Sequence, residues 1–81
     1  MLRPDDILLH LRKRPFEPFR IYLSDGTTYD VRHPDLVMVG ERYIIVGLPR
    51  TPESAPIIDR FETAALIHIV RIGPIALSAS A

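Results

Sequence analysis

The chain has 81 residues, a formal net charge of zero, and no Cys, Trp, Asn or Gln. That length supports one small domain, and the lack of Cys excludes disulfides, thiolate metal sites and a cysteine nucleophile. Balanced charge removes any global attraction to nucleic acid or an anionic membrane.

The segment from Arg3 to Pro15 reads as one short helix. Pro4 suits a first helical position, where its missing N–H has no intrahelical partner. Asp5 and Asp6 stand at the positive end of the helix dipole, Arg12, Lys13 and Arg14 at its negative end, and Pro15 stops it. Ile7, Leu8 and Leu11 form its apolar face and leave His10 on the exposed side. Pro15-Phe16-Glu17-Pro18 is then an extended connector.

Phe19, Ile21 and Leu23 alternate with Arg20, Tyr22 and Ser24, the period of a half-buried strand. Asp25-Gly26 predicts a hairpin, and the return strand from Thr27 to Arg32 sets Thr27, Tyr29 and Val31 on one face. His33-Pro34-Asp35 interrupts that strand, because Pro34 cannot donate to a ladder, and it predicts a capped turn at a bend. Leu36 to Val39 resumes the strand and Gly40-Glu41-Arg42 makes a second tight turn. Tyr43 to Leu48 is an apolar strand, and Pro49 to Pro56 is an exposed loop. Ile57 to Glu62 is the next strand, Thr63 to Leu66 a single turn, and Ile67 to Ile72 the last strand, ended by Gly73-Pro74. Residues 1–74 are thus one domain, with 75–81 a flexible C-terminal tail.

If Thr27 to Val39 is one strand bent at Pro34, there are five strands. The expected fold class is mostly β (α+β), with the N-terminal helix followed by a strongly bent five-stranded antiparallel barrel. Closure into a barrel hides strand edges and encloses one core.

With that order of elements, Ile21-Tyr22-Leu23-Ser24-Asp25-Gly26 and Ala64-Ala65-Leu66-Ile67-His68-Ile69-Val70 resemble the Sm-like family, a small SH3-like barrel that includes Sm proteins and the RNA chaperone Hfq. The resemblance spans residues 5–72. The phrases Pro15-Phe16-Glu17-Pro18-Phe19-Arg20 and His33-Pro34-Asp35-Leu36-Val37-Met38-Val39-Gly40 also resemble short uncharacterised bacterial proteins. Sm-like proteins pair edge strands into rings, so the resemblance implies a homo-oligomer, with Ile58, Arg60, His68 and Val70 as interface residues.

The resemblance also implies single-stranded RNA as an alternative partner, with Arg20, Tyr22 and Arg60 as the binding residues. The Sm uridine pocket uses an Asn and an Arg-Gly pair, and Hfq a Tyr-Lys-His stretch with Gln. Here the region reads Asp59-Arg60-Phe61-Glu62-Thr63-Ala64, and the side chains that present a paired donor and acceptor to a base are absent altogether. The expectation is therefore a non-enzymatic assembly module, with RNA binding the alternative.

No catalytic site, cofactor or metal is expected. His10, His33 and His68 lack ligand spacing, and Ser24, Ser54, Ser78 and Ser80 lack a nucleophile-elbow context. Arg12-Lys13-Arg14 with Arg20 is the one basic cluster, and it reads chiefly as helix C-terminal charge. Phe16 and Phe19 read as core plugs. No apolar run approaches the roughly 18 residues that span a bilayer, and Asp5 and Asp6 break any secretory pattern, so no membrane contact and a cytoplasmic location are expected.

Overall fold

The computed structural model describes residues 2–75. Helix α1 runs from Pro4 to Leu11 and strands follow at Phe19–Leu23 (β1), Thr28–Val31 (β2), Val37–Val39 (β3), Tyr43–Leu48 (β4), Arg60–Ala65 (β5) and Ile69–Pro74 (β6). The six strands form two antiparallel sheets, ordered β2-β1-β6 and β3-β4-β5. The expected single five-stranded barrel is corrected accordingly: there is one more strand, and the sheet does not close. The broader class, a helix with a mostly β domain, holds.

Helix α1 starts where expected, with Pro4 as its first residue. The Arg3 N–H donates to Asp6 Oδ2 (2.8 Å), which satisfies the entry to the helix. The helix ends at Leu11, one turn earlier than the sequence suggests. Arg12, Lys13 and Arg14 offer no apolar side chain to keep a further turn on the core. Arg14 Nη1 instead folds back onto the carbonyls of Leu11 (3.2 Å) and Lys13 (2.8 Å). Ile7 and Leu11 are buried, and Leu9 is exposed whereas His10 is not. His10 is half-buried with its ring centroid 5.0 Å from that of Phe19, and burial and nearby Lys13 lower its pKa.

The first hairpin forms as the alternation requires. Tyr22 stands opposite Thr28 and Ile21 opposite Tyr29. Gly26 sits at φ +91°, and Asp25 Oδ1 accepts the Thr27 N–H (2.9 Å), a bond that also lowers the Asp25 pKa.

At the bend, Pro34–Leu36 forms a single 3-10 turn that separates β2 from β3. His33 Nδ1 accepts the Asp35 N–H (3.1 Å) and caps the turn, while Leu36 is buried beneath it. The chain thereby leaves one sheet and enters the other. Phe19, Ile21, Tyr29 and Val31 from the first sheet meet Val37, Ile44, Val46 and Ala64 from the second, with Ile7 and Leu11 in the same core.

The second half is displaced along the sequence. The strand expected from Ile57 begins at Arg60, and the turn expected at Thr63 to Leu66 is strand as far as Ala65, paired with Tyr43. Leu66–His68 is the 3-10 turn, with Leu66 buried. The last strand starts at Ile69, and Gly73 and Pro74 remain paired opposite Arg20 and Phe19. Ile75 is buried, and residues 76–81 of the expected tail lie outside the described residues.

A Cβ at position 26 meets nothing within 4 Å, so Gly26→Val acts chiefly through the backbone conformation. It should cost about 1–2 kcal/mol, and Gly26→Asn, which tolerates positive φ, clearly less. Thermal denaturation checks both; a valine variant as stable as the parent would contradict the turn.

Candidate functional site

The outward faces and edges of the two sheets hold Arg20, Tyr22, Arg60 and Val70. On β1 the inward positions are Phe19 and Ile21, which turns Arg20 and Tyr22 outward. Arg20 stands opposite Asp30 and donates from Nε and Nη2 to its two carboxylate oxygens, the second contact at 3.1 Å. This bidentate pair raises the Arg20 pKa and lowers that of Asp30. Arg32 Nη2 lies 3.5 Å from the same carboxylate. Tyr22 stands opposite Arg71 of β6, whose guanidinium carbon is 4.0 Å from the ring centroid.

Two of the three expected RNA-contacting residues, Arg20 and Tyr22, thus share a face, and Arg71 completes the group. Arg60 opens β5 in the other sheet. Arg71 escapes a period-two reading because β6 carries a bulge: Leu23 pairs with Ile69 and Tyr22 with Arg71, leaving Val70 unpaired between them. Without the bulge, Ile69 and Arg71 would share the inner face. The expected basic cluster is not presented jointly, since Lys13 pairs with Glu17 (3.1 Å), Arg14 caps α1 and Arg20 is held by Asp30.

The edges differ in how they are covered. Helix α1 packs against β3, and the 48–55 segment shares a cleft with β2. β5 and β6, six residues each, have one strand neighbour apiece. Arg60, Phe61, Glu62 and Thr63 of β5 are all exposed, as are Val70 and Arg71 of β6. Of the expected interface residues, Val70 is on β6 and Arg60 on β5. Ile58 precedes β5 and lies over Gly47, and His68 belongs to the 3-10 turn rather than a strand.

Between β5 and the first hairpin is an open cleft of about 420 Å³, lined by Asp25, Tyr29, Glu62 and His68 among others. The Tyr29 hydroxyl donates across it to Glu62 Oε1 (2.7 Å), joining the two sheets. Burial and the adjacent Glu62 push the Tyr29 pKa up to about 12. Among the described residues no cluster of three His, Asp or Glu converges to hold a metal ion, and no helix is long and apolar enough to cross a membrane.

No family model matches the chain, and no curated protein or solved structure matches it.

The two shifted groups predict two pH limits. Folded Asp30 holds its carboxyl below the ordinary 3.8, so its contribution is present above that pH and lost on acidification. Folded Tyr29 keeps its proton beyond the ordinary 10.0, so its contribution is present below pH 10.0 and lost towards about 12. Melting temperature against pH should show Asp30→Asn flattening the acid limb and Tyr29→Phe the alkaline limb. Parent-like limbs in both variants would contradict the assignment.

Proposed function

We propose that the protein is a non-enzymatic Sm-like assembly module in which β5 of one copy pairs with β6 of the next. The observation that carries this reading is the pair of six-residue edge strands, β5 and β6, each with one strand neighbour. A row of unpaired N–H and C=O groups is a template for another strand. β5 can extend β6 over the stretch between the Val70 bulge and Pro74, which has no N–H to donate. Val70, unpaired at the bulge, is 62% exposed, where an edge that avoids pairing favours a charge. A head-to-tail contact between two different edges closes into a ring when its rotation permits. The element order, with one helix, a hairpin, a strand broken at a bend and a 3-10 turn before the last strand, supports the Sm-like assignment.

Single-stranded RNA binding is the second reading, favoured by the grouping of Arg20, Tyr22 and Arg71 on one face. It ranks lower because Asp30 occupies Arg20 and Arg71 covers one face of the Tyr22 ring. The chain also has no Asn or Gln to read a base edge.

Native mass in solution, with and without oligo-uridine at several salt concentrations, separates the readings. Assembly predicts a multiple of the protomer mass that falls in Val70→Lys and is indifferent to oligo-uridine. A strict monomer at roughly 100 μM, far above a micromolar Kd, would overturn the assembly reading. A salt-sensitive gain in mass with oligo-uridine would place RNA binding first.

A further inference from the structure

The two outward sheet faces have opposite characters. On β2-β1-β6 the outward residues include Arg20, Tyr22, Asp30 and Arg71, which satisfy one another. On β3-β4-β5 the inward residues are Val37, Ile44, Val46 and Ala64, so the outward rows are Met38–Ile45–Thr63, Tyr43–Ala65 and Gly47–Phe61. None of these outward residues bears a charge at neutral pH. Met38 is 65% exposed and Phe61 61%, with Tyr43 also exposed.

Gly47 extends this surface. A Cβ there would come within 2.6 Å of Ile58 Cγ2, so the missing side chain lets Ile58 lie directly on the outer face of β4. Ile58 still exposes part of its surface there. A sheet face turned to water ordinarily carries polar residues. This one carries Met38, Tyr43, Ile45, Ile58 and Phe61.

We infer that the outer face of β3-β4-β5 docks on the same face of a second copy, about a twofold axis. Charge selects this partner. A twofold contact sets a surface against its own image, so any charge near the axis meets its like. The face with Arg20, Arg32 and Arg71 is ill suited to that arrangement, and the uncharged one fits it. Size is also in range. Met38, Tyr43, Ile58 and Phe61 expose on the order of 500 Å² of side chain. A standard interface buries about 800 Å² per partner, and homodimer interfaces are about 65% apolar. The patch supplies that apolar part, and the Arg50–Asp59 pair (3.3 Å), next to Ile58 in the chain, is available to the rim.

This contact names the same partner as the assembly reading but uses other atoms. The edge contact uses the main chain of β5 and β6, whereas the face uses side chains. The same β5 can serve both. Met38 lies on β3, across β4 from the open edge, so changing it leaves edge pairing intact.

The test is native mass and sedimentation of the parent, Met38→Glu, Ile58→Glu and Val70→Lys, each checked by circular dichroism for a parent-like melt. Each of the two face variants should weaken self-association at least tenfold and halve the mass of the parent assembly. Retention of parent mass by a folded Met38→Glu or Ile58→Glu overturns the face contact, whether or not Val70→Lys dissociates. Halved mass in both face variants with parent mass in Val70→Lys supports the face and removes the edge reading. A monomeric parent at roughly 100 μM overturns both.

Discussion

The turn at Pro34–Leu36 is the constraint on which the rest of the structure depends. Pro34 has no N–H to give a neighbouring strand, and the His33 ring accepts the Asp35 N–H that would otherwise continue the ladder. Leu36 drops into the core, and the main chain redirects from β2 to β3. Val31 and Val37 then enter one core from different sheets. Because the break divides six strands into two sets of three, one sheet has β2 and β6 as its edges and the other β3 and β5. Helix α1 packs on β3, the loop after β4 flanks β2, and the first hairpin faces β5 across an open cleft.

Charge is arranged so that the molecule satisfies its own polar groups where the sheets meet water. Arg20 and Asp30 are cross-strand partners, Arg71 stacks on Tyr22, and Arg14 returns to the end of its helix. Among the described residues no buried side-chain nitrogen or oxygen is left without a partner. A zero net charge made from such local pairs leaves little potential to attract a polyanion. Together with the missing Asn and Gln, it directs the reading of the surface towards main-chain edges and apolar side chains.

What the sequence makes legible is what neighbouring residues decide. Phe19-Arg20-Ile21-Tyr22-Leu23 and Asp25-Gly26 specify their strand and turn by alternation and by the need for positive φ, and both form. Pro4 and His33-Pro34-Asp35 likewise act within a few residues of themselves. Partners far away in sequence decide the rest. Ile57 and Ile58 look like the start of a strand, yet β5 begins at Arg60, because Leu48 pairs there and Gly47 leaves room for Ile58 above it. The Thr63-Ala64-Ala65 segment has helical propensity but is held extended opposite Ile45, Ile44 and Tyr43. Arg71 joins Tyr22 only through a bulge at Val70, which no period reveals. The candidate site was therefore half visible: Arg20, Tyr22 and Val70 are where alternation puts them, while Arg71, Met38 and Phe61 acquire meaning only from register.

The proposed assembly requires β5 of one copy to pair with β6 of the next. Hydrogen exchange of the amides of β5 and of residues 69–73 of β6, followed as protein concentration is raised, tests it most directly. Alternate amides of both strands should gain protection with concentration while those of β1 stay unchanged. Exchange in β5 and β6 that is independent of concentration, in a protein whose mass is that of one chain, would contradict it.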